Sequence, residues 1–240
     1  MNYLSSFTFL FKYPNWGMTM LIGVVMNLIP FAGPIVVHGW SLELMKLRIE
    51  GDEETLPELS FDRFGDLFNK GLQPFLASIA LLFPFMFILY FTMAIFIALM
   101  TLISVAITGA AGAAMGEVGA IVGVIVSGLI CLILAAAMMM ILWSLGVLMG
   151  VAILRVEITG EFSSIFALGP LKENVSAMFK PLLVGNIVYG FGSMALIILG
   201  YISCFIGLWP AMFLLQTAGS EIRTIVYRDY LAKGNAAITM

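Results

Sequence analysis

The sequence predicts an all-α integral membrane protein, with about six transmembrane or re-entrant helices in three hairpins, each preceded by an interfacial amphipathic helix. Three observations carry this. The 240 residues are 62% hydrophobic and only 10% charged, against roughly a quarter charged in a soluble domain. Mean hydropathy is +1.09. The apolar residues gather in four blocks, about 17–49, 74–107, 118–157 and 181–231, where a spanning helix needs about 20 residues.

The first block is interrupted by "NLIPFAGPIV", where Pro30, Gly33 and Pro34 predict a turn, because proline removes a helix donor and clashes with the preceding turn. Residues 17–29 rise only about 20 Å, short of a hydrocarbon core of roughly 30 Å, so this hairpin is expected to be shallow. "TGAAGAAMGEVG" predicts a glycine-rich turn between the middle blocks. Residues 118–157 rise about 60 Å if continuous, more than one bilayer needs. "CFIGLWPAM", with Gly207 and Pro210, predicts the last turn.

Charge gives the orientation. With three hairpins, all 11 Lys and Arg residues fall on the side of both termini, and the opposite turns carry only Glu117. The positive-inside rule then places both termini in the cytoplasm of a multi-pass cell-membrane protein.

A threefold pattern runs through the chain. Gly39 precedes Arg48 by the same interval as Gly146 precedes Arg155 and Gly219 precedes Arg228, and an acid follows each Arg: Glu50, Glu157 and Asp229. Phe, Lys and Pro recur in "FLFKYP", "LFNKGLQP" and "SAMFKP", with Pro14, Pro74 and Pro181 at the expected helix starts. The chain is therefore read as one membrane domain, 1–240, with pseudo-repeats at about 3–50, 60–160 and 161–234. Shared interfacial grammar without shared ancestry is the alternative.

"SFDRFGDLFNKGL" places Phe61, Phe64, Phe68 and Leu72 at helical spacing, with Asp62, Arg63, Asp66, Asn69 and Lys70 opposite. That predicts an amphipathic helix in the interface, with Phe61, Phe64 and Phe68 on apolar groups. "LSSFTFLFKY" and "FALGPLKENVSAMFK" hold the same place before the other hairpins.

The stretch from Gly39 to Pro84 resembles DUF4013, a family of uncharacterised multispanning membrane proteins. The pieces that carry it are "GWSLELMKLRIEG", "LPEL", "FGDLFNKGL" and "LLFP". The family pattern has Leu-Pro-Glu-Trp, and Leu59 stands here in place of that Trp. The resemblance implies a multispanning fold and carries no activity, so no catalytic residue is transferred.

The residues themselves point away from enzyme chemistry. His38 is the only histidine, so no H-E-x-x-H pair exists. "GFGS", ending at Ser193, is a weak nucleophile pattern, since Gly and Ser are common in membrane helices. Cys131 and Cys204 read as small core hydrophobes. No cofactor or metal is expected, and no basic cluster suits nucleic acid. "MNYLSSFTFLFKYPNWG" lacks the basic start and small-residue cleavage site of a secretory signal.

The candidate intramembrane polar residues are His38, Glu43, Asn27 and Asn186. His38 is either a proton-sensitive or substrate-contacting group, or, the favoured reading, a histidine bonded to a neighbouring helix. Glu43 is expected to snorkel, or to pair with Lys46 or Arg223. Gly112, Gly116, Gly119, Gly123, Gly146 and Gly150 have G-x-x-x-G spacing and predict a close helix seam, within the fold or between chains. Two functions remain. The favoured one is a non-enzymatic membrane scaffold or accessory subunit, with lipid and a second copy or another membrane protein as partners. The alternative is a transporter or channel for a small or lipid-like substrate.

Overall fold

The structure, a computed structural model, describes residues 1–203 and 206–238; Cys204 lies outside them. The described chain is all-helical: α1 (Trp16–Asn27), α2 (Ala32–Glu50), α3 (Phe64–Thr159), α4 (Leu168–Ile202) and α5 (Leu208–Ala232). Short 3-10 turns stand at Tyr3–Phe7, Phe9–Lys12 and Phe162–Phe166. Helices α3 and α4 are long and apolar enough to cross a membrane.

Six separate helices thus become five. The two middle ones form a single element broken only at Gly116 (φ 62°, ψ −143°). None of the expected interfacial segments is an α-helix of its own among the described residues. The first is a pair of 3-10 turns, the second is the opening of α3, and the third is a 3-10 turn running into α4. Pro74 and Pro181 consequently lie inside helices rather than at their starts. Proline costs a helix one donor, and here the amphipathic turns before it and the apolar run after it continue as one helix despite that loss.

Local rules set the ends. In α2 the Gly51 N–H donates to the Arg48 carbonyl and the Asp52 N–H to the Leu47 carbonyl, with Gly51 at φ 92°. This is a Schellman cap, which needs a left-handed residue. Helix α3 ends on Gly160 at φ 72°, whose N–H donates to Val156. The α1–α2 turn is so tight that a Cβ on Gly33 would lie 1.7 Å from the Met26 carbonyl oxygen.

Contacts divide the chain into two compact units. One is Ala80–Leu145. Within it the stretches on either side of Gly116 run antiparallel, because Gly123 lies against Thr108, Gly119 against Ala111 and Gly112 against Ala120. A Cβ on Gly119 would stand 1.9 Å from the Ala111 carbonyl oxygen. These glycines therefore make a seam inside the chain, with Gly116 as its turn. Most large side chains of this unit, such as Phe83, Tyr90 and Leu132, are exposed.

The other unit comprises residues 1–79 and those from 146 onward. Helix α5 is its hub, packed against α1, α2, α4 and the N-terminal turn. One core gathers Leu10, Met26, Val37, Trp40, Leu67 and Phe213, and a second gathers Val147, Leu154, Met178, Leu182, Ile222 and Val226. Helices α2 and α3 touch backbone to backbone. A Cβ on Gly39 would meet the Leu67 carbonyl oxygen at 1.9 Å, and one on Gly71 the Ile35 carbonyl oxygen at 2.0 Å.

Backbone cannot step aside as a flexible side chain can. Gly39→Ala should therefore cost about 1–3 kcal/mol by overpacking. A Cβ on Gly150 meets nothing within 4 Å, so Gly150→Ala should gain about 0.5–1 kcal/mol from helix propensity. Reversible unfolding in mixed micelles checks the pair, and equal midpoints for the two variants would contradict the close crossing.

Candidate functional site

Three ionisable side chains from α2, α3 and α5 meet inside the larger unit. The Glu157 side chain is wholly buried, while those of His38 and Arg223 keep 13% and 16% exposure. Arg223 grips the carboxylate with both arms, Nε to Oε2 at 2.9 Å and Nη2 to Oε1 at 2.5 Å. This fork geometry is the strongest form of ion pair. His38 Nε2 stands 3.2 Å from Oε1 but off the line of a hydrogen bond.

The cluster lies between two cavities. One, of about 590 Å³, is lined by Glu43, Lys46, Glu50, Lys70 and Glu157. The other, of about 250 Å³, is lined by His38, Ser78, Asn186, Tyr189, Gln216 and Arg223. Glu157 borders the first cavity without exposing its carboxylate to it, while its two partners line the second. Tyr189 donates its hydroxyl to the Leu215 carbonyl and Gln216 its amide to the Pro34 carbonyl. Those bonds tie the cavity's polar groups to α5 and to the start of α2. Among the described residues no group of three His, Cys, Asp or Glu side chains could hold a metal ion.

The polar residues expected from sequence scatter. His38 and Asn186 come to the smaller cavity. Glu43 does not pair with Lys46 or Arg223; it accepts from Arg63 at 2.6 Å and Lys70 at 2.7 Å, both of which also hold Asp66. Arg223 is unavailable to it because Glu157 occupies both arms. Asn27 lines neither cavity and has a buried Nδ2 without a partner. Gly146 faces the Asn186 amide, and Gly150 borders the smaller cavity rather than a seam. Glu157, Arg223, Tyr189 and Gln216 were not expected as site residues. The available signal was Arg223 itself, a fixed charge inside the apolar block 181–231.

The arginines of the threefold pattern share a task. Arg48 donates Nη1 to the Glu53 carbonyl at 2.8 Å and Nη2 to the Tyr13 hydroxyl. Arg155 donates Nε to the Ser164 carbonyl at 3.2 Å. Arg228 donates to the Glu53 carboxylate at 2.6 Å. Each fixes a segment outside the helices. Gly39 and Gly219 face neighbouring helices, at Leu67 and Tyr189 respectively.

The acidic loop between α2 and α3 is strapped down along its length. Trp40 Nε1 donates to the Pro57 carbonyl at 2.8 Å, and Tyr13 donates to the Glu53 carbonyl at 3.0 Å. Leu59 is buried in the core beside Trp40. Arg228 holds the Glu53 carboxyl below its ordinary range. "GW", the basic helix end and "LPEL" therefore form one physical unit. A family described as "Protein of unknown function (DUF4013)" matches residues 22–215. The chain belongs to the DUF4013 family. No curated protein and no solved structure matches it. In this DUF4013 chain the matched segment contains His38 and Glu157 and stops short of Arg223, so the cluster extends beyond it.

Proposed function

We infer that this DUF4013 chain is a non-enzymatic multi-pass membrane protein of the transporter or channel class, which holds a small polar solute beside the Glu157 cluster. The observation that carries the reading is the Glu157–Arg223–His38 cluster, bordered by two cavities whose largely apolar walls carry several polar groups. Ionisable groups set among apolar helices are expensive, and they mark solute or proton paths. Sequence favoured the scaffold because polar groups looked too few. Folding brings Asn186, Tyr189, Gln216 and the cluster to one place, which supports the alternative better. The glycines that suggested a contact between chains are used within the chain, which removes one support of the scaffold.

The proposed topology treats α1, α2, the two stretches of α3, α4 and α5 as six spans or re-entrant segments. Both termini lie in the cytoplasm and the chain sits in the cell membrane. The larger cavity then opens toward the cytoplasm, since Lys46 and Lys70 line it. The scaffold reading keeps one observation of its own. Residues 80–115 rise about 54 Å and expose apolar side chains throughout, more than lipid of ordinary thickness covers.

Topology is tested by labelling. In a chain whose two cysteines are replaced by alanine, single cysteines at Phe31, Glu117 and Ile206 should react only from outside. Those at Glu54, Glu173 and Asn235 should react only from the cytoplasm. Labelling of the Glu117 position from the cytoplasmic side would overturn the arrangement.

Function is tested in phosphatidylcholine proteoliposomes by light scattering after osmotic shock with glycerol, urea, amino acids and sugars. At least one solute class should cross faster than in empty liposomes. Asn186→Leu, which fills the smaller cavity with an apolar group, should cut that rate about tenfold, the effect of one lost polar contact of about 1.4 kcal/mol. If every solute crosses at the empty-liposome rate while the protein forms a stable oligomer, the scaffold reading gains.

A further inference from the structure

A third cavity, of about 220 Å³, lies apart from the cluster, lined by Lys12, Tyr13, Arg48, Glu53, Glu221 and Arg228 among others. Its walls come from the N-terminal segment, the end of α2 with its loop, and α5. Two of its groups are orphans of opposite kinds: Arg48 Nε is a buried donor without an acceptor, and Glu221 Oε2 is a buried acceptor without a donor. Arg48 is 6% exposed, and its acceptors, the Glu53 carbonyl and the Tyr13 hydroxyl, are both neutral. A guanidinium so buried is costly without a carboxylate bonded to it, and Glu221 acts on Arg48 only through space, with no hydrogen bond between them. The Glu53 carboxylate is taken by Arg228.

We propose that this cavity binds a phosphate ester carrying an adjacent ammonium, a phosphoethanolamine group. The phosphate accepts from Arg48 Nε and the Lys12 ammonium, and the ligand ammonium donates to Glu221 Oε2. One such group satisfies both orphans, and its two charges suit a wall that carries the cations of Lys12, Arg48 and Arg228 together with the carboxylates of Glu53 and Glu221. A plain phosphate would leave Glu221 unpaired and repelled. A choline ester has the charge but no N–H to donate. The volume equals about seven waters of liquid at about 30 Å³ each, close to the size of phosphoethanolamine. The group can come from a lipid headgroup or from a free phosphate ester, and both share this chemistry.

The full chain is purified from nanodiscs holding equal amounts of phosphatidylethanolamine and phosphatidylcholine, and retained lipid is counted by native mass spectrometry. Ethanolamine lipid should be retained about tenfold over choline lipid, the value of one charge-assisted hydrogen bond. Glu221→Gln, which keeps the shape, should bring that ratio near one. Lys12→Ala should weaken both headgroups and leave the ratio unchanged. Delipidated protein is also melted with free phosphoethanolamine or phosphocholine. A rise in Tm with the first alone, without lipid preference, assigns the same site to a soluble ester. No preference in either arm, or a preference that survives Glu221→Gln, overturns the proposal and leaves the cavity to water.

Discussion

The Glu157 carboxylate receives Arg223 through both oxygens and has His38 beside one, with no solvent exposure of its own. A carboxylate so placed is tolerable only while its partners stay, since an isolated buried charge costs many kcal/mol. The geometry of α2, α3 and α5 is therefore conditional on the cluster. Each helix contributes one member, and the cluster is lost if any of the three rotates. The apolar cores around Trp40 and around Leu154 add burial, which is non-directional. A bidentate pair cannot slide. It supplies the register that a wholly apolar interface between these helices would lack.

Around that fixed point the rest of the larger unit is arranged by close approach. Gly39 and Gly71 let α2 and α3 meet backbone to backbone, which holds the His38 helix against the start of α3. Gly23 lies against the ring of Phe213, where a Cβ would stand 2.2 Å from its edge, so α1 seats on α5. The strapped acidic loop then closes the end of α2. Trp40, Tyr13, Arg48 and Arg228 bind it at Pro57 and Glu53. Its carboxylates stay in water while its backbone is held, and a highly charged segment is thereby ordered beside apolar helices.

Much of the helical class was legible. Composition and block length gave an all-helical chain, and proline with glycine gave the α1–α2 and α4–α5 turns. The ends of the helices were less so. Proline was read as a boundary at Pro74 and Pro181, yet the amphipathic segment before each is already helical and the helix runs through both. Glycine spacing showed that Gly119 and Gly123 meet a backbone, but spacing does not say whose. The partner is the same chain because Gly116 reverses it. The cluster was hidden because its members are far apart in sequence and Glu157 sits at a block edge, where an acid reads as an ordinary helix end. Glu43 was assigned the wrong partners because Arg63 and Lys70 reach it only after α3 folds back on α2.

The claim on which most depends is that Glu157 and Arg223 act as one unit. A double-mutant cycle of Glu157→Gln, Arg223→Met and the double variant, followed by reversible unfolding of the purified chain in mixed micelles, measures it most directly. Each single change should cost about 3–5 kcal/mol, because each leaves a buried charge unpaired. The double variant should cost far less than their sum, with a coupling of about 2 kcal/mol or more. Losses that add within about 0.5 kcal/mol would mean that the two side chains are independent, and would contradict the account.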